Sequence, residues 1–425
     1  MTLRDLRLLP VLLLLASAAG GAADFTTYVS LGDSLAAGFS NGALLETHQA
    51  NSVPALVARQ AGVTDFEQPL IGEPGFPPEL ELLSLLPVPV IQPKSQDEGQ
   101  PLNRDLPRPY NNLAVPGATT LDVLESVQYP GNRLGRFVLR GIGTQLDQAR
   151  ILHPTFVTLW IGDNDVVPAA LDGQVVEGEN LTPVDEFASQ YAEVISVLKA
   201  TGATIVASNI AEPWTIPFVN SIKPYVVDPA TRQPVLVNGQ PVPLLGTTGP
   251  LSPNAYVTLA ASELVAAGVG IPAALGGTGE PLPDDVVLDP AEVATIRDHL
   301  DKDNQAIAQI CQQAGIPVLD LHAIYSQFAT TGVDLGGVHL SSDFLTGGLF
   351  GYDAVHPSDL GYALIANQWI AVINTTGANL APVNVAPLLG SFAAGVARVK
   401  AQPRPAILPS ATWAQLRRAL RAPRR

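Results

Sequence analysis

Sulfur is almost absent from this chain: its 425 residues include one cysteine and one methionine. Cys311 has no partner for an internal disulfide, and there is no cysteine pair to bind zinc. The other common zinc signature, His-Glu-x-x-His, is missing as well. Charge is scarce too. Only 15% of residues are Asp, Glu, Lys or Arg, and 39 acids against 23 bases leave a net charge of −16. Such an acidic body argues against nucleic acid as a partner. The apolar run Leu8–Leu15, broken by Pro10, is too short to cross a bilayer.

The chain is 47% hydrophobic, enough for a large core, and its 37 Gly and 38 Pro imply a loop-rich surface. Arg4 and Arg7 precede the Leu8–Leu15 run, and small residues follow from Ala16 to Ala23. That succession describes a secretory signal over residues 1–23 and an exported protein. No cysteine follows it to carry a lipid anchor, and a core of this size does not need disulfides outside the cell.

Strand-like and helix-like segments then alternate. Tyr28–Leu31, Asn112–Val115, Phe156–Ile161, Thr204–Ile210 and Pro317–Leu319 are short and apolar, as strands covered on both faces should be. Val184–Lys199, Glu292–Gln313 and Leu360–Ile373 carry apolar residues at helical spacing, with Gly202 and Gly315 placed to end the first two. The alternation predicts an α/β fold: a three-layer α/β/α sandwich around a parallel sheet, in one domain over residues 24–374. Two Pro-rich insertions, at about 67–110 and 217–289, interrupt the rhythm, as either a pocket rim or plain scaffold. From Thr375 onward no acid occurs and eight basic residues do. Trp413, Leu416 and Leu420 would share one face of a helix over Ser410–Leu420. The 375–425 tail therefore reads as a solvated or disordered end, or as a basic amphipathic helix making weak contact with a membrane surface.

Chemistry concentrates in four places. Tyr28-Val29-Ser30-Leu31 runs into Gly32-Asp33-Ser34-Leu35, offering a hydroxyl at the end of a strand. Asp353-Ala354-Val355-His356 offers an imidazole able to take a proton near neutral pH and a carboxylate to orient it. Gly117, after a strand-like run, and Asn164, in Gly162-Asp163-Asn164-Asp165, are candidate oxyanion donors. Taken singly, each has a plainer reading: a helix cap at Ser34 or Asp353/His356, a turn glycine at Gly117, an Asx turn at Asn164. His299 falls on a helix and is expected to be exposed, while His322 and His339 are loop candidates for a pocket. Asp33, Asp163, Asp165 and Asp353 could hold a hard cation or act as paired carboxylates, but neither idea accounts for the Ser, Gly, Asn and His in their order.

In that order the blocks resemble those of the SGNH/GDSL hydrolase family: Gly32-Asp33-Ser34-Leu35, Gly117, Gly162-Asp163-Asn164-Asp165 and Asp353-Ala354-Val355-His356, across roughly residues 26–374. The resemblance implies a flavodoxin-like sandwich with a five-stranded sheet. It implies Ser34 as nucleophile with Asp353 and His356, and an oxyanion hole made of the Ser34 amide, the Gly117 amide and the Asn164 side chain. It further implies hydrolysis of small-molecule or lipid esters or thioesters without a cofactor or metal. A carbohydrate acetyl esterase or a thioesterase/lysophospholipase would use the same scaffold. A cell-envelope binding protein that kept the fold and lost turnover is the rival of another class. Both insertions exceed what a compact member carries, which leaves the substrate pocket open.

Overall fold

The computed structural model describes residues 23–84, 89–126, 133–390 and 407–420. The expected signal, up to residue 22, lies outside them. Four parallel strands, β1 (Tyr28–Gly32), β2 (Phe156–Trp160), β3 (Thr204–Ser208) and β4 (Val318–Leu319), lie side by side in that order. Tyr28 faces Phe156 and Gly32 faces Trp160 across the first pair. Every residue of β1 and β2 is buried, so these strands read as unbroken apolar runs.

The fifth expected strand, Asn112–Val115, takes its place at the β1 edge but pairs only as an isolated parallel bridge between Asn112 and Ser30. Leu113 N–H donates to Ser30 (2.8 Å) and Val115 N–H to Gly32 (3.0 Å). The segment strays from a regular ladder because Asn112 satisfies local backbone itself. Its Oδ1 accepts the Ala114 N–H (3.2 Å) and its Nδ2 donates to the Ala36 carbonyl (2.9 Å). The sheet is thus four-stranded with a bridged fifth segment. In chain order its arrangement is 2-1-3-4-5, a doubly wound order whose direction reverses between β1 and β2. Ligand sites in such sheets lie beyond the strand ends at that reversal.

Helices cover both faces. Thr120–Glu125, Val184–Lys199 and Pro290–Ala314 pack together on one, and Val53–Gln60 and Asp359–Asn374 on the other. Phe187, Tyr191, Val194 and Leu198 are buried at the expected helical spacing. Asp289 and Glu292 form a capping box at the start of Pro290–Ala314, and Gly315 closes that helix at φ 68°. His299, expected at the surface, is 7% exposed and faces the Thr182 carbonyl at 3.3 Å. The helix is covered there by neighbouring chain, which its own periodicity does not reveal.

The 217–289 insertion has a small core of its own, including Val226, Leu244, Val257 and Leu282. The described parts of the tail, 375–390 and 407–420, pack against the body. Asn367 and Asn374 hold the first of them by bonds to the Val383 and Leu380 backbone. Ser410–Leu420 is a helix, here αC, with Trp413 and Leu416 buried.

One partly buried ionic clamp ties the two ends of the domain together. His48 places Nδ1 2.7 Å from Asp359, at the start of the Asp359–Asn374 helix, and Nε2 2.8 Å from Glu79. Burial alone would lower its pKa, but the hydrogen bonds to Asp359 and Glu79 outweigh it and raise the pKa to about 10. The folded state therefore holds this proton more tightly than the unfolded chain. Its contribution to stability is complete below the ordinary pKa of 6.5 and fades as pH rises through about 10. His48→Gln should flatten the fall in unfolding free energy across that interval, measured by urea titration at stepped pH. An unchanged slope would mean that the imidazole is not charged in the fold.

Candidate active site

β1 delivers Ser34 to the reversal point through a turn that only glycine allows. Gly32 has φ 153°, and a Cβ there would lie 2.1 Å from the Trp160 carbonyl oxygen. The buried Gln145 side chain grips the same residue from both sides. Its Nε2 donates to Gly32 C=O (2.9 Å), and its Oε1 accepts Gly32 N–H (3.0 Å). Asp33 caps the short Ser34–Ala37 helix, its Oδ1 accepting from Leu35 N–H at 2.9 Å. The cap is thus Asp33 rather than Ser34, and the serine hydroxyl is free to turn elsewhere.

It turns to His356. Nε2 lies 2.8 Å from Ser34 Oγ, and Nδ1 lies 3.0 Å from Asp353 Oδ2. With Nδ1–H donating to Asp353, Nε2 is left to accept the serine proton. Asp353 is buried yet ionised. Burial would raise its pKa, but His356 and the N–H groups of His356 and Val355 hold it below the ordinary carboxyl value. Those two amides donate to Oδ1 at 2.9 Å each, and Gly42 N–H donates to Oδ2 at 2.7 Å. Ala354 sits between at φ 62°, and its carbonyl accepts Phe218 N–H at 2.8 Å. Phe39 lies against the imidazole, ring centres 4.8 Å apart.

Asn164 is the second residue of the helix αB (Asp163–Leu171), which starts just past β2. Its Nδ2 donates to the Ala118 carbonyl at 3.0 Å, joining it to the turn that holds Gly117 at φ 83°. The same side-chain amide also reaches the Asp33 carboxyl. Ser34, Asn164 and His356 line one cavity of about 70 Å³, whose walls do not include Gly117. Its sides are mainly apolar: Val167, Pro168 and Leu171 from αB on one, and Ala211, Pro213 and Ile216 on the other, where Glu212 also faces in. Among the described residues, neither insertion supplies a lining residue. His322, on the Leu321–Ala329 helix rather than a loop, lies 3.5 Å from Glu212 behind the lining, and His339 pairs with Asp334 on an exposed hairpin; neither lines the cavity. Of these neighbours, sequence reasoning missed Gln145, Gly42 and Phe39. Each acts through tertiary contact, and none stands in a block that betrays it.

The other acids lie beneath the serine. Burial, then the neighbouring Asp163, push Asp33 well above the usual carboxyl range. Burial pushes Asp163 up to about 7 and Asp165 to about 6. Trp160 Nε1 donates to Asp163 at 3.2 Å. None of these three meets His356, and Asp353 alone forms the pair.

The family model described as GDSL-like lipase/acylhydrolase matches residues 28–369. No curated protein matches the sequence. Solved structures similar to the chain include a lipase/acylhydrolase from Enterococcus faecalis: 13% identity, 84% of this chain and 98% of that one covered, TM-score 0.34. A phospholipase A1 from Streptomyces albidoflavus gives 16%, 82%, 98% and 0.33 on the same measures. A family 3 carbohydrate esterase from Clostridium thermocellum gives 14%, 82%, 98% and 0.33.

Asp165 fixes the start of αB and with it Asn164. It accepts Thr120 N–H, Thr120 Oγ1 and Thr182 Oγ1, each at 2.9 Å. Asp165→Ala leaves these buried donors without an acceptor and should cost about 3 kcal/mol. Urea unfolding with an unchanged m-value checks this. A loss under about 1 kcal/mol would show that the threonines find other partners.

Proposed function

The chain belongs to the GDSL-like lipase/acylhydrolase family of carboxylic ester hydrolases, and we propose that it works through an acyl-Ser34 intermediate and, from the composition of its first residues, outside the cytoplasm. The observation that carries the mechanism is the relay Ser34 Oγ–His356 Nε2–Asp353 at 2.8 and 3.0 Å, on the wall of an apolar cavity. His356 takes the Ser34 proton as Oγ attacks the ester carbonyl carbon. The oxygen that becomes negative is met by the Ser34 amide and the Asn164 side-chain amide, with the Gly117 amide, in the turn that Asn164 holds, as the third donor the family resemblance implies. His356 then passes the proton to the departing alcohol. Water enters, gives a proton to the same nitrogen and attacks the acyl carbon, which frees the acid and restores Ser34. Asp353, kept ionised by its donors, holds the imidazole in the tautomer this needs and stabilises the imidazolium.

The apolar walls at Val167, Pro168, Leu171 and Ile216 suit a hydrocarbon acyl group better than a polyhydroxyl one. That favours simple carboxylic esters over acetylated sugars. The intact relay favours turnover over a silent binding role. Export is supported by the composition of residues 1–23.

A fluorophosphonate probe should label the wild-type protein and leave Ser34→Ala unlabelled. Equal labelling of the two would end the acyl-serine reading. Asn164→Ala should lower kcat on p-nitrophenyl esters on the order of 10²–10³-fold with KM little changed, since its bond is made to charge present only in the transition state. A variant with full kcat would assign Asn164 to the αB turn alone. Amino-terminal sequencing of protein recovered outside the cytoplasm should begin at about residue 24. Finding Met1 there would contradict cleavage.

A further inference from the structure

The catalytic cavity has a roof, and it comes from the far end of the chain. Trp413 and Arg417, four residues apart on αC, line it together with Ser34 and His356. Both lie beyond the segment 28–369 that the family model matches. The helix is seated at several points. Trp413 packs against Phe218 with ring centres 4.2 Å apart. Arg417 Nη2 lies 2.9 Å from Asp172, the residue that ends αB on the opposite rim. Leu416 presses on Gly42, where an added Cβ would come within 2.5 Å of its Cδ2. Gly42 is the residue whose amide holds Asp353.

The two insertions meet at this helix. Leu408 and Ser262 exchange hydrogen bonds, Leu408 N–H donating to Ser262 Oγ at 3.0 Å and Ser262 Oγ–H to Leu408 C=O at 3.2 Å. The Ser410 N–H and hydroxyl both donate to Glu263. Ile407 pairs as a parallel bridge with Val90 of the other insertion, its N–H donating to Pro89 C=O at 3.1 Å. Leu80, from the same insertion, closes on Gly42 beside Leu416. Segments that do not touch the cavity thus hold the element that covers it.

We propose that αC is the outer wall of the acyl pocket and that Trp413 restricts the enzyme to esters of short acyl chains. This rests on Ser34 being the nucleophile. The partly open cavity of about 70 Å³ holds about five to seven waters at 10–15 Å³ each, room for an acyl group of a few carbons. Without the indole, Val167, Pro168 and Leu171 of αB and Ala211, Pro213 and Ile216 opposite them would border an open groove able to bury more methylenes. Arg417 with Asp172 closes the polar side of the rim, so the restriction falls on the hydrocarbon.

The test is kcat/KM of the full chain on p-nitrophenyl acetate, butyrate, octanoate and dodecanoate. Trp413→Ala should raise the octanoate-to-acetate ratio at least about tenfold, less than two newly buried methylenes would supply. Trp413→Phe keeps a ring on Phe218 and should stay near the wild-type ratio. Glu263→Ala, which loosens the seat from outside the cavity, should move the ratio in the same direction as Trp413→Ala, by less. It carries the test alone if circular dichroism shows Trp413→Ala unfolded. Ratios unchanged in Trp413→Ala and Glu263→Ala, with Ser34 still labelled by fluorophosphonate, would overturn the pocket-wall assignment and leave the nucleophile standing. Loss of labelling specificity at Ser34 in the wild type would instead remove the reading on which the assignment rests.

Discussion

A single carboxylate organises this molecule. Asp353 collects Gly42 N–H from one end of the domain, Val355 and His356 N–H from the other, and the imidazole between them. A buried charge is tolerable only when fully met by donors, and here four meet it. The Asp353–His356 turn takes its shape from these bonds, including the left-handed Ala354 whose carbonyl receives Phe218. An alanine at this position would free the Gly42 amide, the turn and the imidazole at once. Asn41 strengthens the join by accepting Tyr352 N–H at 2.8 Å while donating to Glu79, which bonds His48.

Much of this was written in local sequence. The strands at Tyr28, Phe156 and Thr204 stand where unbroken apolar runs put them, and the Val184–Lys199 helix buries the face its spacing marked. Ser34, Asn164 and His356 meet in one cavity because each follows or faces a strand end at the sheet reversal. Gly32 was legible as a turn, but the carbonyl of Trp160 behind it was not. Gln145, which grips both polar groups of that peptide, sits on a helix start with no sign of its task. Long-range pairings of this kind leave no periodicity to read.

The tail shows the same limit from the other side. Its amphipathic helix was legible from Trp413, Leu416 and the run of bases. What the apolar face would meet was not, because a membrane surface and a folded body offer the same apolar contact. The structure turns Trp413 and Leu416 toward Phe218, Gly42 and Leu80. The insertions were legible as departures in length, but not as supports for something else.

The Ser34–His356 bond joins residues 322 positions apart, and Gly42–Asp353 joins residues 311 apart. Such contacts close loops that span most of the chain, at an entropic cost that grows with loop length. No fragment made early in synthesis carries a working relay, since its acid and base arrive more than 300 residues after its hydroxyl. On the proposed mechanism, the growing chain is inert toward esters until residue 356 has been made and has folded against Ser34.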